Sequence, residues 1–155
     1  MSAARLRPAR PTDAGRVGAI LSQFIDATPW MPRLHSRAQD VAFAGRMIDK
    51  GWVTVAEAGP GDAVCGFLAV DAADAEVQAL FVEAAARGGG IGTSLLAAAK
   101  AENAALSLWT FEANHGALRF YARHGFRETT RGDGSANEEG LPDVRLEWRR
   151  GAVHG

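Results

Sequence analysis

Glu83-Ala84-Ala85-Ala86-Arg87-Gly88-Gly89-Gly90-Ile91-Gly92-Thr93-Ser94-Leu95-Leu96 is the stretch from which the fold can be read. It follows an apolar run at 75–83 and opens an alanine-rich segment in which Ile91, Leu95, Leu96 and Ala99 share one helical face. A strand therefore feeds a helix, Ile91 to Asn103, through a turn with four glycines in five positions. Lacking a Cβ, glycines let successive N–H groups turn inward. The helix start adds its own unpaired N–H groups and the positive end of its dipole. Such a turn suits a phosphate or pyrophosphate, with Arg87 adding charge. For the glycines alone, a plain turn that eases helix packing is the alternative. A dinucleotide fingerprint counted from Gly88 needs a third glycine where Thr93 stands. A P-loop needs Gly-Lys followed by Ser or Thr, which the chain lacks.

Upstream, residues 5–8 read as a short edge strand closed by Pro8. Thr12 is placed to cap a helix running to about Ala27, with Val17, Ile20, Leu21 and Phe24 at helical spacing. Thr28-Pro29-Trp30-Met31-Pro32 breaks that helix. Ser36 and Gln39 have capping-box spacing for a second one carrying Val41, Phe43, Ala44, Met47 and Ile48. From Gly51 the period becomes strand-like, with Trp52–Glu57 and Val64–Asp71 joined by the turn Gly59-Pro60-Gly61-Asp62. Downstream, Leu106–Glu112 reads as a strand, and Asn114–His124 as a helix ended by Gly125 in a left-handed cap. Phe126–Thr130 is a strand, 131–143 a long polar loop, and Val144–Trp148 a last strand. The order β-α-α-β-β-β-α-β-α-β-β predicts an α/β (α+β) fold: a mixed sheet flanked by helices.

The 155 residues suffice for one core, so a single domain is expected over 1–155, with its core at about 5–149. A net charge of −1 gives no general attraction to nucleic acid or to an anionic membrane, so neither partner is expected. The Arg149-Arg150 pair is too small to change that. Cys65, the only cysteine, excludes an internal disulfide and sits in an apolar strand, which fits a reducing cytoplasm. No apolar run approaches membrane-spanning length, and the first residues lack the apolar core of a signal peptide. No metal is expected. His115 and His124 stand on opposite faces of one helix, and His35 and His154 have no partner at ligand spacing.

Arg87-Gly88-Gly89-Gly90-Ile91-Gly92 resembles the Arg/Gln-x-x-Gly-x-Gly/Ala signature of the GNAT superfamily of N-acetyltransferases. Asn114-His115-Gly116-Ala117-Leu118-Arg119-Phe120-Tyr121-Ala122-Arg123-His124-Gly125-Phe126 resembles their second motif, Asn-x-x-Ala-x-x-Phe-Tyr-x-x-x-Gly-Phe. Leu6-Arg7-Pro8-Ala9 with Thr12-Asp13-Ala14, and Gly66-Phe67-Leu68, extend the resemblance over about residues 5–130. The resemblance implies a centrally splayed sheet, acetyl-CoA as cosubstrate and direct transfer of its acetyl group to a primary amine in a ternary complex. It implies that the backbone of Leu80, Phe81 and Val82 meets the pantetheine arm. The pyrophosphate would rest on Arg87, Gly88, Gly89, Gly90, Ile91, Gly92 and Thr93. Asn114 would contact pantetheine, with helix capping as its alternative. Tyr121 would donate a proton to the leaving thiolate, with a core tyrosine beside Phe120 as its alternative.

Glu76, eleven positions before Arg87, occupies the place of the base in histone-type members and equally reads as a solvent-facing strand end. Glu112 is a second candidate base. On the acceptor side, Trp30, Met31 and His35 lie in the loop between the first two helices. They would line the acceptor site or lid the core. Asp133, Glu138, Glu139 and Asp143 would attract a cationic amine or belong to a solvated loop. Many members dimerise, but nothing in this chain marks an interface, so a homodimer stays an open expectation. A non-catalytic acyl-CoA-binding or regulatory module on the same fold is the alternative function.

Overall fold

The computed structural model describes residues 4–59, 61 and 63–151. Pro60 and Asp62 of the expected turn, and His154, lie outside the described residues. The elements follow the expected order: β1 (Arg5–Pro8), α1 (Ala14–Ala27), α2 (Arg37–Asp49), β2 (Val53–Ala58), β3 (Ala63–Asp71), β4 (Glu76–Val82), α3 (Ile91–Glu102), β5 (Ala105–Phe111), α4 (His115–Arg123), β6 (Arg127–Gly132) and β7 (Asp143–Arg149).

Local chemistry sets most of the boundaries. The Ser36 side chain accepts from the Gln39 N–H at 3.1 Å, and the Gln39 side chain accepts from the Ser36 N–H at 2.7 Å, the capping box the spacing predicts. Gly125 ends the α4 turn at φ +87°. The expected Thr12 cap is corrected. Pro11 starts a short 3₁₀ turn, Pro11–Asp13, and Asp13 reaches back instead, accepting from the Arg10 N–H at 2.7 Å. Asp13 also holds Arg7 at 2.8 Å, and Arg7 pairs with Glu57 at 3.0 Å, tying β1, β2 and the start of α1. Phe43 lies in α2 as expected and is 38% exposed, with Arg46 over its ring; the buried apolar face of α2 is Ala44, Met47 and Ile48.

The seven strands form one sheet in the order β1-β2-β3-β4-β5-β7-β6, antiparallel except where β4 meets β5. That parallel pair has a single rung, Glu76↔Ser107, after which the strands part. On its other side β4 pairs with β3, and the register jumps from Val70↔Val77 to Ala69↔Ala79, leaving Gln78 as a bulge. The splay expected from the resemblance is therefore present, and the bulge sits at its base.

The extra residue also reverses which side chains face which helices. Val77 joins the core under α3 and α4 with Leu95, Leu96, Leu106, Leu108 and Leu146. Ala79 joins the core under α1 and α2 with Val17, Ile20, Met47, Val55 and Phe67. The α1–α2 layer covers β2 to β4, so β5 and β7 keep one face without a helix over it. There Trp109 and Arg145 alternate with the buried Leu108 and Val144, and Trp109 is 42% exposed. No helix among the described residues is long and apolar enough to cross a membrane.

Candidate active site

The splay leaves a cleft of about 500 Å³ between the C-terminal half of β4, the start of α3 and one face of α4. Leu80, Phe81, Val82, Arg87, Gly88, Gly90, Ile91, Gly92, Thr93, Asn114 and Tyr121 line it, so one opening collects the expected cosubstrate-binding residues except Gly89. Phe24 of α1 lines it as well, its ring 4.8 Å from that of Phe81. Arg123 also lines it and forms no ion pair among the described residues. Neither residue stood out in the sequence. Gly116, Phe120 and Arg123 recur at helical spacing, a signal that finds Arg123. Phe24 is brought in from a distant helix, which no local pattern announces.

The glycine turn is preorganised for an anion. Gly88 and Gly90 have φ of +85° and +82°, in the left-handed region that side chains with a Cβ seldom adopt. The first helical bond of α3 runs from the Ser94 N–H to the Gly90 carbonyl. Among the described residues, the N–H groups of Gly88 through Thr93 have no protein acceptor. The Arg87 side chain folds back, its Nε donating to the Val82 carbonyl at 3.0 Å.

Strand phase decides which backbone groups face the cleft. The Val70 N–H bonds to the Trp52 carbonyl, just before β2, and the Glu83 N–H bonds to the Cys65 carbonyl on β3. With Phe67 opposite Phe81, the alternation of an antiparallel ladder turns the N–H and C=O of Phe81 toward β3. Those of Leu80 and Val82 turn toward the open side. Without the bulge at Gln78 the phase would be the reverse.

Asn114 caps α4, its Oδ1 accepting from the Ala117 N–H at 3.1 Å, and its amide nitrogen has no partner among the described residues. Tyr121 is 7% exposed, with its ring edge-on to Phe120 and Phe126 at 5.2 Å each. Its hydroxyl has no protein hydrogen bond among the described residues, and burial pushes the phenol above its usual value. Cys65 is buried, with its thiol likewise pushed up by desolvation, and offers no nucleophile.

Glu76 stands outside the cleft lining, at the last rung of the β4–β5 pair. It accepts from Gln78 Nε2 at 2.7 Å and lies 3.9 Å from Arg145 Nη1. Glu112 pairs with Arg131 at 3.4 Å. The two loops expected on the acceptor side meet: His35 Nε2 lies 2.7 Å from Glu138 Oε2, and Trp30 sits edge-on to Phe111 at 5.7 Å. Asp143 accepts from Asn137 Nδ2 at 3.2 Å, and Asp133 is held by Ser135. Glu139 forms no ion pair, and Met31 no polar contact beyond its backbone turn to Thr28, among the described residues. Those residues hold no cluster of His, Cys, Asp and Glu that could bind a metal ion.

Residues 49–128 match the family model described as an acetyltransferase (GNAT) domain. Solved structures share the fold. Apo-form YjaB from Escherichia coli is 24% identical with a TM-score of 0.78, the alignment covering 97% of this chain and 100% of that one. A GCN5-related N-acetyltransferase from Rhodopseudomonas palustris is 24% identical with a TM-score of 0.77, covering 96% and 97%. The structure of yncA from Salmonella typhimurium with its cofactor acetyl-CoA is 18% identical with a TM-score of 0.71, covering 99% and 98%. No curated protein sequence matches the chain.

Proposed function

This chain belongs to the GNAT acetyltransferase family, and on that premise we propose that it transfers the acetyl group of acetyl-CoA directly to a primary amine in a ternary complex. One observation carries the proposal: the same cleft holds a run of unpartnered N–H groups, an open strand edge and a buried tyrosine hydroxyl. The N–H groups of Gly88 to Thr93, with Arg87 and Arg123, would hold the pyrophosphate. The open N–H and C=O of Leu80, the N–H of Val82 and the free amide nitrogen of Asn114 would pair with the pantetheine arm, the Val82 carbonyl being taken by Arg87. Phe81 would contribute its side chain. Acetyl-CoA supplies the activated acetyl group.

An N–H on the open edge of β4 would hold the thioester oxygen as charge builds on it. Glu76, through a water, would take one proton from the incoming ammonium, and Tyr121 would give one to the departing sulfur. The N–C bond forms, the C–S bond breaks, and the amine's second surplus proton leaves to solvent. Glu112 is the second candidate base. Its pairing with Arg131 makes it less available than Glu76. Trp30, Met31, His35, Glu138, Glu139 and Asp143 would border the acceptor, with the His35–Glu138 contact closing the rim.

The test is release of CoA thiol from acetyl-CoA in the presence of primary amines, with Tyr121→Phe as control. Amine-dependent release that drops in the variant is expected. Tight acetyl-CoA binding with no release from any amine would favour the non-catalytic module instead.

A further inference from the structure

Arg145 carries a hydrogen-bonding edge that the protein does not use. It stands on β7 opposite Trp109 of β5, so the two side chains share the sheet face that α1 and α2 leave open. Its Nε donates to Glu147 at 3.1 Å. Its Nη1 reaches across β5 to 3.9 Å from Glu76 on β4, close enough to attract but too far to hydrogen-bond. Among the described residues, neither terminal nitrogen of Arg145 makes a hydrogen bond, although the side chain is only 31% exposed. By contrast, Arg33 and Arg7 close on their aspartates at 2.8 Å.

The position matters as much as the chemistry. Glu76↔Ser107 is the last rung before β4 and β5 separate, so a fork beside Glu76 stands next to the point where the strands part. It lies in a shallow depression with Ser107, Thr129 and Glu147 that adjoins the splay rather than lining the cleft. Trp109, 42% exposed, flanks it, and the next inward residue of β5, Phe111, is walled by Trp30. A guanidinium with both terminal nitrogens free is shaped for bidentate contact with a carboxylate. The neighbouring Glu76 carboxylate suits an ammonium in the same small space.

Resting on the acetyl-transfer reading above, we propose that the acceptor is an amine that also carries a carboxylate, an amino-acid-type zwitterion. Arg145 Nη1 and Nη2 grip its carboxylate, Trp109 packs along its carbon skeleton, and its amine points into the splay.

The experiment compares matched pairs in the wild-type enzyme: tyrosine with tyramine, lysine with cadaverine, leucine with isoamylamine. The best amino acid should exceed its decarboxylated partner by about 100-fold in kcat/KM, because the missing carboxylate leaves a guanidinium unpaired. Arg145→Lys keeps the charge without the fork and should cut that ratio about tenfold. Arg145→Met should bring it within about threefold of unity, the loss falling on the amino acid's KM rather than its kcat. Melting temperatures show whether each variant is folded, and the wild-type comparison needs no variant. Decarboxylated amines turned over as well as amino acids, or a preference that survives Arg145→Met, would overturn carboxylate recognition and leave acetyl transfer standing. Absence of turnover with every amine would strike the acetyl-transfer reading and this inference together.

Discussion

Tyr121 sits between Phe120 and Phe126, lines the cleft, and has no protein hydrogen bond to its hydroxyl among the described residues. Burial disfavours the phenolate, so the donor form persists to higher pH than a free tyrosine allows. Any alkaline limb of kcat that arises from Tyr121 should therefore lie above about pH 10. Tyr121→Phe keeps the ring and removes the proton, so kcat should fall by about 10² to 10⁴ with little change in acetyl-CoA affinity. Steady-state rates and calorimetry check both halves. Gly90 supplies a second prediction at this scale. At φ +82°, Gly90→Ala should cost about 1–2 kcal/mol and weaken acetyl-CoA binding. Gly15 of α1 faces open space with ordinary helical backbone, so Gly15→Ala should be neutral or stabilising by up to about 1 kcal/mol. Thermal melts of the two variants separate backbone strain from the general effect of adding a methyl. Placement at the cleft was legible where a short motif carries it, as for Arg87, Asn114 and Tyr121. Phe24 and Arg145 were not, because each reaches its place through a contact between distant elements.

At the scale of elements, the order of helices and strands was legible from periodicity, and the buried face of α3 is the one its spacing predicts. The start of α1 was not. Pro11 fixes the backbone before Thr12 can cap, and Asp13 takes over by joining Arg7, Arg10 and the edge of the sheet. Hydrogen bonds from Arg7 hold the Asp13 carboxyl below its ordinary value of 3.8, against the opposing effect of burial. A carboxylate lowered in the folded state stabilises fully above its unfolded value and loses that contribution as pH falls through the folded one. Wild-type stability should thus decline below about pH 4. Asp13→Asn should lower Tm at pH 7 by roughly 5 °C, for a loss of about 2 kcal/mol, and flatten the acid decline. Melting curves from pH 7 to 2.5 test the sign directly. The bulge at Gln78 is likewise invisible in composition, yet it sets the phase by which Leu80 and Val82 face the cleft.

The whole molecule is an asymmetric sheet, covered by α3 and α4 on one face and by α1 and α2 over only half of the other. That asymmetry leaves the cleft lined by the glycine turn and α4, with the open face of β5 and β7 beside the splay. The cosubstrate side was legible because it depends on short contiguous motifs. The proposed acceptor side was not, because it would be assembled from loops and strand faces that meet only in the fold, as His35 meets Glu138. Ligand that binds the native cleft alone should raise the melting temperature in proportion to the logarithm of its concentration. Acetyl-CoA should do so, while ATP and NAD at equal concentration should not. The most direct measurement is mass spectrometry of the quenched reaction with acetyl-CoA and a panel of primary amines and amino acids. The account predicts N-acetylated acceptor and free CoA appearing one for one, with the mass of the protein unchanged. Acetyl-CoA left intact with every amine, or an acetylated protein formed before product, would contradict it.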